Sequence, residues 1–83
     1  MTVRLYHSDP YLKEFTAQIV SAEGEWIALD RTAFYPGGGG QEPDRGTLER
    51  LPVTEVKSSG DRVLHRVPGH AFTAGDEVHG AVY

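Results

Sequence analysis

Phe34-Tyr35-Pro36 runs into four consecutive glycines, Gly37 to Gly40, and leaves through Gln41, Glu42, Pro43, Asp44 and Arg45 to Gly46. Glycine carries no Cβ, so the main chain there can take φ > 0 and let a large group lie against it. Successive bare N–H groups can form a concavity for a phosphate or a developing oxyanion. Gln41 donates and accepts, so it could orient a carbonyl or tie the loop down. Two readings stand for 36–46: an ordered loop whose backbone faces a ligand or a partner domain, or a permissive turn that closes a sheet. A flexible linker fits less well, because linkers are Gly/Ser-rich without flanking aromatics.

Other groups offer less chemistry. There is no cysteine, which removes every thiolate nucleophile or ligand and suits a reducing compartment. Any zinc would need His and carboxylates alone. His65 and His70 make a weak metal pair, because Pro68-Gly69 between them leaves their directions undefined. Within Arg62–Val67, His65 shares its face with Val63 and Val67, which predicts a core-edge histidine with one hydrogen bond. Asp44 and Gly46 are expected to fix the turn out of the glycine stretch. Phe34, Tyr35 and Trp26 could stack a base, although a small domain more often uses aromatics as core.

The 83 residues bound the answer to one small domain with a thin core. Eight Lys/Arg stand against twelve Asp/Glu, a net charge of −4, so the basic stripe that phosphate-driven nucleic-acid binding wants is missing. An RNA-directed role would need a more basic neighbour. No apolar run approaches a bilayer-spanning length and the start lacks a signal-peptide layout, so a cytoplasmic protein with no membrane partner is expected.

The elements that must position these residues read as strands. Thr2–Tyr6 alternates, and His7-Ser8-Asp9-Pro10 stops it. Tyr11–Val20 fits either a helix face or a strand; the following Trp26–Asp30 strand, joined through Ala22–Glu25, favours a hairpin and hence a strand over Phe15–Ser21. Gly46–Leu51 predicts an extended run that Pro52 confines to an edge or bulge. Val53–Lys57 and Arg62–Val67 form a hairpin about Ser58–Asp61. His70–Asp76 is irregular, and Glu77–Tyr83 is a last strand, after which a further element is expected. The whole is all-β: a small antiparallel barrel, closed or partly open, of about six strands, resembling translation-protein barrels.

Taken together, Leu29-Asp30-Arg31-Thr32-Ala33-Phe34-Tyr35-Pro36, Gly38-Gly39-Gly40-Gln41 and Asp44-Arg45-Gly46 resemble the glycine-rich motif of the editing region of alanyl-tRNA synthetases. Their free-standing AlaX relatives, which deacylate mischarged tRNA, share it. Tyr11–Phe15 with Ala17, Val63-Leu64-His65, and Gly75–Gly80 with Val82 extend the resemblance over nearly all of the chain. Glu42 departs from it, standing where the family commonly has proline.

What the resemblance implies is one half of a site. Thr32 would lie beside the substrate amino acid and favour serine over alanine, and Gly38, Gly39, Gly40 and Gln41 would face the editing pocket. The bland alternatives are a strand-end threonine bonding its own backbone and a loop that needs φ > 0. In the family this barrel precedes an α/β subdomain carrying zinc on a His-x-x-x-His pair with a later Cys and His. His7, His65, His70 and His79 lack that spacing, so the chain is expected to bind no metal and to be inactive alone. Its implied partners are mischarged alanine tRNA, such as Ser-tRNA(Ala), and a downstream or separate zinc-binding subdomain. The rival expectation is a non-catalytic RNA- or protein-binding barrel.

Overall fold

A computed structural model describes residues 3–5, 12–36 and 45–83. Nine strands and no α-helix occur among them: β1 (Val3–Arg4), β2 (Glu14–Glu23), β3 (Trp26–Leu29), β4 (Arg31–Thr32), β5 (Gly46–Leu48), β6 (Leu51–Val53), β7 (Glu55–Ser59), β8 (Arg62–Arg66) and β9 (Glu77–Val82). Seven form one antiparallel sheet in the order β6-β5-β9-β2-β3-β8-β7. Its two outer members, β6 and β7, follow each other in the chain across Thr54 alone. The sheet therefore curls until its ends almost meet, and the Thr54 N–H between them extends the β7–β8 pairing by donating to the Arg66 carbonyl at 2.9 Å. The expected all-β barrel is observed, nearly closed.

Period-two patterning builds it. Along β2, Phe15, Ala17 and Ile19 are buried between exposed Glu14, Thr16, Gln18 and Val20, which is what one wet and one dry face require. The register shifts between Ile19 and Ser21, a bulge that bends the long strand from its pairing with β9 to its pairing with β3. The inward side chains of β2, β3, β8 and β9, with Phe34, Leu48, Val53 and Val56, form one core.

Among the described residues three hairpins carry two-residue turns. Gly24 (φ 58°) and Gly60 (φ 61°) supply positive φ where β2–β3 and β7–β8 reverse. The third turn differs from the expected extended run over Gly46–Leu51. The chain reverses at Glu49 (φ 49°) and Arg50 (φ 70°) between β5 and β6, positions that ordinarily take Asn-Gly. Tertiary pairing holds this turn, since the Glu49 N–H donates to the His79 carbonyl at 2.9 Å. Pro52 lies on the edge strand β6, where its missing donor is harmless.

Two glycines act by absence. Gly46 is not the expected turn residue but a buried member of β5, where a Cβ would run into the Ala81 carbonyl oxygen and crowd the Phe34 ring. Gly80 pairs with Phe15, and a Cβ there would lie 2.5 Å from the Phe15 ring. These gaps admit the two phenyl rings, which meet edge to face with centroids 5.9 Å apart.

The opening strand also departs from expectation. Only Val3–Arg4 is extended within the described part of that segment, and it pairs in parallel with β4 rather than joining the large sheet. Asp30 sets this up by ending β3: its N–H donates to the Gln18 carbonyl and its carboxylate accepts from the Gln18 N–H at 2.8 Å. The chain then leaves the sheet with Thr32 pointing inward.

Candidate functional site

The best-built polar feature of the barrel is a hydrogen-bond chain in its interior. Thr32 and His65 are both fully buried, and Thr32 Oγ1 lies 2.8 Å from His65 Nε2. The other ring nitrogen, Nδ1, is 3.1 Å from the Ile27 carbonyl. A carbonyl only accepts, so Nδ1 carries the proton and Nε2 of the neutral ring takes the Thr32 hydroxyl proton. The Phe34 N–H donates to the same Thr32 oxygen at 3.0 Å, closing a short turn two residues ahead of Pro36. Burial pushes the His65 pKa down to about 4, against a smaller opposing effect of the Ile27 bond. No buried polar side-chain atom among the described residues lacks a partner.

Each link comes from a different element. Ile27 and His65 face each other across β3 and β8, while Thr32 arrives from β4, which has no strand pairing with the large sheet. Phe34 stands edge-on to the imidazole with centroids 5.3 Å apart. His65 thus differs from the core-edge histidine with one bond that its strand suggests: it is central and bonded at both nitrogens.

Of the five candidate substrate-binding residues, Thr32 is the one described; Gly38, Gly39, Gly40 and Gln41 lie outside the described residues, as does Asp44. From the expected loop 36–46, Pro36 is half-buried and Arg45 exposed. A cleft opens where the described chain resumes, lined by Arg45, Gly46, Pro52, Val53, Thr54 and Tyr83. A smaller polar hollow lies against Thr16, Gln18, Asp30, Arg31 and Glu77. Thr32 lines neither.

Aromatic residues divide as burial dictates. Phe34 is core, whereas Trp26 is half-buried on the outer face with the Lys57 ammonium 4.2 Å from its ring centroid.

The other described histidines do not gather with His65. His70 accepts the Phe72 N–H on Nδ1, donates from Nε2 to the Gly24 carbonyl at 2.6 Å and stacks on Phe72. His79 pairs with Glu14 at 2.9 Å on the outer surface. Among the described residues no three His, Asp or Glu side chains converge to hold a metal ion. No described helix is long and apolar enough to cross a membrane.

A family profile described as tRNA synthetases class II (A) matches residues 7–83. The chain belongs to that family. Its relatives include the alanine–tRNA ligases of Thermococcus kodakarensis, 44% identical over 95% of this chain, and Pyrococcus abyssi, 45% identical over 98%. The alanyl-tRNA editing protein AlaX-M of Saccharolobus solfataricus is 48% identical over 81% of the chain. The chain spans 9% of the length of each of these two ligases and 31% of the editing protein. Thr32, which resemblance singles out, and His65, whose alternation alone placed it inward, are thus brought together, and no sequence signal named them as a pair.

Proposed function

We propose that this chain is the barrel part of an alanyl-tRNA-editing unit, which hydrolyses the ester of a mischarged aminoacyl-tRNA such as Ser-tRNA(Ala). The likeness to AlaX-M carries this reading, because that relative is an editing protein without the bulk of a ligase and still matches most of the chain. The barrel contributes one wall: Thr32 and the backbone of Gly38, Gly39 and Gly40, with Gln41 beside them. The other wall, with the zinc the family implies, comes from a separate subdomain, so the 83 residues are inactive alone.

Geometry adds a constraint. Thr32 is buried, so in this reading the substrate side chain has to reach a residue that lines neither of the two described clefts. The partner tRNA is held chiefly by the other subdomain, since this chain is acidic.

The test supplies Ser-tRNA(Ala) and Zn²⁺ to the chain alone, and to the chain joined to the rest of the Saccharolobus editing protein in place of its matching segment. Hydrolysis by the joined protein and none by the chain alone is expected. Activity from the 83 residues by themselves, or tight RNA binding that the joined segment does not alter, would overturn the reading and favour a self-sufficient or non-catalytic RNA-binding barrel.

A further inference from the structure

We propose that His65 is a positioning residue: bonded through Nδ1–H to the Ile27 carbonyl, it takes the Thr32 hydroxyl proton on Nε2, holds Thr32–Phe34 in one geometry, and leaves Thr32 Oγ1 an acceptor only. The ligand feature this selects is a hydrogen-bond donor, such as an aliphatic hydroxyl, and not a carbonyl.

Three observations carry it. The Ile27 carbonyl admits one neutral tautomer, and that tautomer has a lone pair aimed at Thr32 Oγ1 from 2.8 Å. The Phe34 N–H already occupies one lone pair of that oxygen, so the hydroxyl has given away its proton and retains one accepting position. Phe34 stands edge-on to the ring at 5.3 Å between centroids, and Val63 and Val67 are the buried residues two before and two after it on the same face, so the ring sits in packed core. The low basicity that burial imposes keeps the ring neutral at pH 7, so the proton assignment does not alternate.

This ties β4 to the large sheet, to which no strand pairing joins it, just ahead of the glycine-rich stretch. The ligand-facing half rests on the editing reading: a serine hydroxyl would satisfy the remaining lone pair, and an alanine side chain would leave it unpaired.

Two amide variants separate positioning from mere filling. His65→Gln extends an acceptor to the Nε2 position, whereas His65→Asn reaches only the Nδ1 position and keeps the link to Ile27 without the one to Thr32. Both introduce a buried amide of similar polarity. In the 83-residue chain, amide exchange at Phe34 is expected to quicken tenfold or more in the Asn variant and less than threefold in the Gln variant. Nitrogen-15 spectra of the unaltered chain at pH 7 should place the His65 proton on Nδ1. Equal protection of Phe34 in the two variants, or a proton on Nε2, would overturn the positioning role.

In the joined protein, the ratio of kcat/KM for Ser-tRNA(Ala) over Ala-tRNA(Ala) should fall at least tenfold with Asn and hold with Gln. An unchanged ratio in both would overturn the ligand-facing half. Should the unaltered joined protein not hydrolyse at all, the editing reading fails, and Phe34 exchange still decides the positioning role.

Discussion

Strands β8 and β9 present the same inward pattern with a different exception in the middle. In β8 and just beyond it the inward residues are Val63, His65 and Val67; in β9 they are Val78, Gly80 and Val82. Each strand interrupts two valines with a residue that is not a hydrophobe. The barrel fills the glycine gap with the Phe15 ring from across the β2 pairing. It meets the imidazole with hydrogen bonds to Thr32 and Ile27. One exception is a matter of volume and tolerates anything that fits. The other is a matter of donors and acceptors, and a side chain of the right size but the wrong polarity leaves the buried Thr32 hydroxyl without its acceptor.

The comparison breaks most severely at β8. His65→Phe keeps an aromatic ring but strands the Thr32 hydroxyl and removes the side-chain bond to the Ile27 carbonyl, at an expected loss of about 3 kcal/mol in urea unfolding. A loss below about 1 kcal/mol would mean that the hydrogen-bond chain matters no more than the volume it occupies.

At β9 the expected effect is smaller and can be relieved. Gly80→Ala pushes a Cβ into the Phe15 ring and should cost about 2 kcal/mol. Repeated in a Phe15→Leu background it should cost about 1 kcal/mol less, because the two sites touch. Strict additivity in that cycle would deny that Phe15 is what fills the gap.

The third probe is pH, and it touches β8 alone. His65 has a folded pKa of about 4 against an ordinary value of 6.5. Between those values the unfolded chain binds the extra proton, so the contribution is full above pH 6.5 and is lost as pH falls toward 4. From pH 7 to pH 5 the unaltered chain should lose about 2 kcal/mol more than His65→Gln. Parallel pH profiles for the two would show that the ring is not held neutral.

How far the sequence can be read follows the same division. Alternation in β2, β8 and β9 marks inward faces directly, because side chains in a strand point to opposite sides with period two. Gly24 and Gly60 mark their hairpins because their turns need positive φ. The Glu49-Arg50 turn was illegible: neither residue favours φ > 0, and the reversal is held by β9, thirty residues away in the chain. Gly46 could be seen as special but not why, since its reason is the carbonyl of Ala81. The glycine-rich stretch is the strongest signal in the chain, yet Gly38, Gly39, Gly40 and Gln41 lie outside the described residues, so their part in a site stays a proposal.

By itself, the order of residues determined an all-β chain, its inward faces, two of its turns and the family it resembles, because each is written in local spacing or a local motif. Tertiary structure alone decided that β6 and β7 nearly close the sheet, that Phe15 and Phe34 occupy the space left by Gly80 and Gly46, and that His65 meets Thr32. Those outcomes depend on which strands lie side by side. Pairing joins residues far apart in the chain through register and volume, quantities that no single segment contains.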